Sequence, residues 1–193
     1  MSTRLSLIIN KGATCSKRLT YFLLAVLCLS ALQVASSDPL NVTITNDILA
    51  VAVIATSPIA FGTVIAPSTT VSDSSSTVTS AGTETQTYSL SLANPSGWTA
   101  VQAAPGAGEY CLSAMFSAAQ PAAGDFSYAN HALATGAPAA CTATQFGNGN
   151  SAESGLSVPA AEIRSLWFKF EAPASTTVSG EQTITVTVTA AAG

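Results

Sequence analysis

The run EQTITVTVTA at residues 181–190 alternates strictly. Ile184, Val186 and Val188 fall on one parity; Thr183, Thr185, Thr187 and Thr189 fall on the other. A helix cannot use this spacing, because its faces repeat every 3.6 residues. A strand sends every apolar side chain of such a run to one face and every hydroxyl to the other. β-Branched residues also fit the pleat. The pattern recurs in LNVTITN (40–46), where Leu40, Val42 and Ile44 alternate with Asn41, Thr43 and Thr45. It recurs again in TQTYSLSL (85–92), with Tyr88, Leu90 and Leu92 against Thr87, Ser89 and Ser91.

Further strands are expected at ILAVAVIAT (48–56), FGTVIA (61–66), SSTVTS (75–80), WTAVQ (98–102) and EYCLSAMF (109–116). In the last, Tyr110, Leu112 and Ala114 share a face. Gly, Pro, Asn or Ser punctuates each run, and no segment carries a long helical period. The pattern predicts an all-β chain of eight to ten short strands, folded as a two-sheet β-sandwich. Residues 117–160 depart from it. They are rich in Ala, Gly, Pro, Ser and Asn and read as a long loop excursion, with a short ordered piece around Phe126–Leu133. Long excursions of this kind tend to carry function.

Residues 1–36 read as a secretory signal peptide. Arg4, Lys11, Lys17 and Arg18 precede the uncharged run LTYFLLAVLCLSALQVA, and small residues follow at a cleavage position. Leu27 before Cys28 does not fit a lipoprotein site, and the segment lacks a type IV pilin leader pattern. The expected product is one exported domain, residues 37–193, located in the extracellular space or at the cell surface. Four of the six basic residues lie in the leader, and all ten acidic residues lie beyond it. The remainder carries Arg164 and Lys169 against ten carboxylates, a net charge of −8. Such a chain has no basic surface to neutralise phosphates, so no nucleic-acid partner is expected. Binding to anionic membranes after cleavage is disfavoured for the same reason.

Beyond the leader, Cys111 and Cys141 form an even pair. In an exported chain that reads as a disulfide, stabilising by roughly 3–4 kcal/mol for its loop length. The segment EIRSLWFKFEAP (162–173) holds both remaining cations. One parity, Leu166, Phe168 and Phe170, is a core face; the other presents Trp167 beside Lys169. The segment is therefore a strand with an aromatic on its outer face.

FGTVIAPSTT (61–70), TETQTYSLSLANPSGWTAV (83–101), SVPAAEIRSLWFKFEAP (157–173) and the closing Thr/Val strand resemble bacterial extracellular immunoglobulin-like modules. The resemblance covers most of residues 40–190 outside the excursion. It implies an immunoglobulin-like sandwich, secretion, and a structural, adhesive or accessory role. It supplies no catalytic residues.

No enzyme constellation emerges from the motifs, and neither a cofactor nor a metal site is expected. His131 is the single histidine, without a cysteine nucleophile or a Ser elbow to pair with it. GNGNSAES (147–154) offers oxygen ligands, but with one carboxylate and no calcium-loop spacing. Trp167, Trp98 and Lys169 are the candidate ligand-binding residues, with a glycan as the ligand class, since aromatic faces can stack on sugar rings. The strands at 40–56 and 181–190 lack the proline and lysine that blunt sheet edges; they are expected to pair within one sandwich, with self-association or pairing with other surface proteins through an open edge as the alternative. The expected function is a non-enzymatic structural or surface-associated module, with a carbohydrate-binding module as the alternative.

Overall fold

The computed structural model describes residues 40–48, 53–55 and 58–192. The leader lies outside the described residues, as do 49–52. The strands are β1 (Leu40–Ile48), β2 (Val53–Ala55), β3 (Ile59–Val64), β4 (Thr69–Val71), β5 (Ser76–Ser80), β6 (Gln86–Ala93), β7 (Thr99–Ala100), β8 (Glu109–Phe116), β9 (Ala139–Ala140), β10 (Ile163–Glu171) and β11 (Gln182–Ala192). A single-turn helix, α1, spans Tyr128–His131.

The strands form two sheets, as the alternation predicts. One runs β3-β1-β11-β6-β9; the other runs β2-β5-β10-β8-β7, with β4 also paired to β10. β1 runs parallel to β11, and β6 runs antiparallel to it. The inner faces meet in one apolar cluster. Ile44, Leu90, Ile184, Val186 and Val188 come from the first sheet, and Val78, Leu112, Phe116, Leu166 and Phe168 from the second. On β11 the buried parity is the Ile/Val set, with Thr185, Thr187 and Thr189 half-buried. This division is the one the period of two requires.

An aromatic cluster fills one end of the core. The Trp98 and Phe170 rings stack with centroids 6.0 Å apart, and Tyr110 and Phe61 lean on Phe170 at 6.0 and 5.6 Å. Trp98 enters from the turn at Gly97, whose φ of +96° suits glycine. A Cβ at Gly97 would also lie 2.8 Å from Val178 Cγ2.

The excursion is an ordered third layer, more structured than its composition suggests. Leu133 N–H donates to Leu112 O on β8, and Leu92 N–H on β6 donates to Ala134 O. Two consecutive excursion residues thus bond to different sheets and close the side of the sandwich between β8 and β6. Leu133, Cys141, Phe146 and Val158 complete the core from this layer. The rest of the layer covers the outer face of β8 and half of β10. All of Tyr110–Phe116 is therefore buried, on both parities.

Two expectations are corrected here. β11 is not an edge: it is the central strand of its sheet, paired on both sides, and β1 lies between β11 and β3. The edges of that sheet are β3 and the two-residue β9. The expected bridge between Cys111 and Cys141 is not formed, and both are free buried thiols. Cys111 shares the outer parity of β8 with Ser113, its Sγ 3.9 Å from Ser113 Oγ. Cys141 lies in the core cluster, and a Cβ at Gly155 would sit 2.8 Å from its Sγ and 2.9 Å from Phe116 Cε2. Strand β8 separates the two sulfurs, which a disulfide with its short Cβ–Cβ span cannot bridge.

Phe170 touches three other rings and is fully buried. Phe170→Ala should destabilise the chain by about 3–5 kcal/mol, read from urea unfolding. A cost under 1 kcal/mol would show that the aromatic cluster is not a core.

Candidate functional site

Strand β10 places its outer-parity residues beneath the excursion. Lys169 is 5% exposed and Glu171 9%. Lys169 Nζ lies 2.9 Å from Glu171 Oε1. Residues i and i+2 share a strand face, so this pair follows directly from strand geometry. The ammonium also sits 5.8 Å from the Phe126 ring centroid and 5.4 Å from that of Tyr128. A buried charge requires a partner and polarisable surroundings, and the ion pair with two ring faces supplies both. Burial first, and then the neighbouring Glu171 carboxylate, raise the Tyr128 hydroxyl to about 12. Burial raises the Cys111 thiol to about 11. Cys141 is raised further still by its own burial. Neither sulfur is a thiolate near neutral pH, so neither is primed as a nucleophile.

Arg164, the other cation, is 7% exposed. Its Nη1 lies 2.5 Å from Glu162 Oε1, and its Nε donates to Ser154 O at 3.0 Å. Both positive charges after residue 18 are thus buried and paired. Lys169 therefore serves the interior and is not available to a ligand.

The two tryptophans divide. Trp98 is 2% exposed and its indole N–H donates to Thr176 Oγ1 at 2.9 Å. It is a core residue, and the expectation that it stacks on a ligand is overturned by that burial. Trp167 is half-buried, and its N–H donates to Ser117 O at 3.0 Å. It stands at the margin of the excursion with part of its ring exposed.

His131 ties the excursion together. Its Nδ1 accepts from Ser127 N–H at 2.9 Å, and its Nε2 lies 3.1 Å from Gly147 O. A ring nitrogen that accepts from a backbone amide is unprotonated, so the proton is on Nε2, which donates to Gly147. Burial lowers the His131 pKa, and the Lys169 charge lowers it further. No lone pair is left to take a substrate proton, so the geometry makes His131 a brace. In GNGNSAES the amides converge on Glu153. Asn148 Nδ2 donates to Oε2 at 2.8 Å, Asn150 Nδ2 to Oε1 at 2.9 Å, and Ala118 N–H to Oε2 at 2.9 Å. These bonds hold its pKa below the ordinary value, the Ala118 amide contributing most. The carboxylate is saturated by N–H donors, which occupy the positions a cation would need.

The braced segments enclose a groove of about 570 Å³. Its walls include Gln120 and Pro121, Asp125, Asn130 of α1, and Thr144 and Asn148 of the return turn, with Met115 and Ser117 of the β8 end at its base. Such volumes are ordinary for small-ligand clefts. Sequence reading singled out the excursion and the ordered piece near Phe126–Leu133. It named Asp125 only as one of several carboxylates in the region, and it did not single out Asn130 or Glu171. For Glu171 a signal was present, the Lys-x-Glu spacing on one strand face. For Asp125 and Asn130 there was none, because the fold of an aperiodic segment sets their convergence. A scan against protein-family models finds no match for the chain, and a search of curated proteins finds none.

Removing Lys169 leaves Glu171 buried without its cation. Lys169→Met should cost about 3–5 kcal/mol, while Lys169→Met with Glu171→Met should recover most of it. Chemical denaturation of both variants is the check, and equal losses would overturn the pairing. The depressed His131 pKa has a defined sign. The unfolded chain takes a proton near 6.5, whereas the folded chain resists it until lower pH. The His131 contribution is complete above about 6.5 and declines as pH falls from there toward the folded value. Stability measured from pH 7.5 to 5 should show this loss, and His131→Gln should flatten it.

Proposed function

We propose that the chain is a non-enzymatic, exported structural module of the cell surface, similar to extracellular immunoglobulin-like modules. It contacts further copies of itself or neighbouring surface proteins along β3. One observation carries this reading. β3 closes its sheet with no described strand on its outer side, and its sequence IAFGTV holds no charge and no proline. Ile65, just beyond it, is 60% exposed. An edge without these blunting features is a template for strand addition. The bulge at Phe61, where β1 pairing skips from Gly62 to Ala60, keeps the contact short. Assembly then rests on repeated copies, because many weak contacts add through avidity.

The signal peptide at 1–36 is part of this proposal. So is the non-enzymatic reading, which is supported by the braced state of His131 and the high thiol pKa values. The central place of β11 decides which variant can test assembly. Deleting 181–193 would remove the middle of a sheet and unfold the domain, so it cannot report on assembly. Thr63 is exposed on β3. Thr63→Lys should leave the circular dichroism spectrum and unfolding midpoint unchanged. It should lower the assembled mass seen by light scattering to that of a monomer. A wild-type chain that stays monomeric at high concentration would sink the reading.

A further inference from the structure

We propose that the excursion groove is a binding site for a neutral, hydroxyl-rich glycan segment, separate from contacts along β3. The fold leaves few polar groups around this groove uncommitted. Most of the excursion's polar groups are used internally. Asn148 reaches Ser117 and Glu153, Gln120 Nε2 donates to Ser72 O, and Asp125 Oδ2 accepts from Ala122 N–H at 2.8 Å. Among the described residues, the side-chain amide of Asn130 makes no hydrogen bond. Its backbone does the local work: N–H donates to Ser127 Oγ, and O accepts from Phe146 N–H. Asp125 Oδ1 and Gln120 Oε1 likewise have no described donor. One planar amide, one carboxylate oxygen and one amide carbonyl therefore face a single groove, all on exposed residues.

This set matches hydroxyl chemistry. A sugar hydroxyl donates and accepts at once, so a carboxylate or carbonyl oxygen on one side and an amide N–H on the other can both engage it. Ala119, exposed at the rim, offers a small apolar surface for the C–H side of a ring, while Met115 and Pro121 are buried beneath the groove. The charge pattern selects among glycans. With both cations buried in ion pairs, the only charge lining the groove is Asp125. Uronic-acid and sulfated chains meet repulsion there and find no compensating cation, whereas an uncharged sugar meets neither. Pre-organisation also favours binding. His131 links Ser127 to Gly147 at the base of the groove, so the walls are placed before a ligand arrives.

The protein carries a reporter for this site. Trp167 donates to the carbonyl of Ser117, and Ser117 lines the groove. Filling the groove should alter the Trp167 environment, while Trp98 in the core supplies a constant background. The experiment titrates the full chain with cellohexaose, mannohexaose, chitohexaose and hexagalacturonate, reading tryptophan fluorescence and calorimetry, with light scattering on the same samples. The expected result is saturable one-site binding of at least one neutral hexasaccharide, with hexagalacturonate at least tenfold weaker. Asn130→Ala should weaken the neutral probe tenfold or more with no change in unfolding midpoint. Asp125→Asn, which keeps an acceptor for Ala122 N–H, should admit hexagalacturonate. Binding that survives Asn130→Ala, a preference for the uronate, or no saturable signal from any neutral probe at millimolar concentration would each overturn the proposal. Scattering separates the two readings, because glycan binding by a monomer or by an assembly leaves the β3 contact to be judged alone.

Discussion

Lys169 is one of two positive charges after residue 18, and the fold places its ammonium under a layer of protein instead of in water. That placement constrains everything above the second sheet. A buried ammonium needs a counter-charge, and Glu171 stands two residues along the same strand face. The remaining faces of the charge are met by the rings of Phe126 and Tyr128, so the excursion must bring those two residues over β10. Once they are there, α1, which runs from Tyr128 to His131, brings His131 near the same cation, whose charge adds to burial in keeping the imidazole neutral. The neutral imidazole can then accept from Ser127 and donate to Gly147, and these bonds set the base of the groove. A single charge at position 169 thus organises the packing of about a dozen residues that share no secondary-structure period.

The alternating parts of the fold were legible because alternation leaves a strand few options. The core parity of β6, β8, β10 and β11 could be assigned residue by residue from the sequence, and the structure buries those residues. Lys169 was assigned to the outer parity of β10, also rightly, but outer parity ordinarily means water. Its burial depends on a covering layer made of Ala, Gly, Ser and Asn, whose sequence carries no periodic signal. Lateral strand order was equally silent. Alternation shows that 181–190 is half-buried in a sheet, but does not say whether its neighbours lie on one side or both. The cysteine count misled for a related reason. An even number says nothing about which side of a strand each sulfur takes, and β8 stands between these two. The Asp125 and Asn130 positions were out of reach of any local rule, since long-range braces on both sides of the groove set them.

The charge distribution that results is unusual in one respect. Ion pairing draws Arg164 and Lys169 inward, so the described surface offers carboxylates, hydroxyls and amides and no exposed ammonium or guanidinium. Like copies repel weakly at long range, which favours solubility. Short-range contacts must then be made through backbone edges and neutral polar groups. Both the β3 edge and the groove are surfaces of that kind.

The parallel pairing of β1 with β11 has a consequence for how the chain acquires its structure. The strand at the centre of the first sheet follows its partners in the chain, pairing with β6 more than ninety residues earlier and with β1 140 residues earlier. Until β11 arrives, β1 has only the short β3 beside it, and β6 lacks the neighbour along most of its length. Non-local pairings of this type form slowly because the closing loop must be ordered before any contact rewards it. The first sheet therefore has no centre until β11 has been made. The two halves of that sheet, β3 with β1 and β6 with β9, join only through a segment that follows both in the chain, so this side of the sandwich closes in one late step.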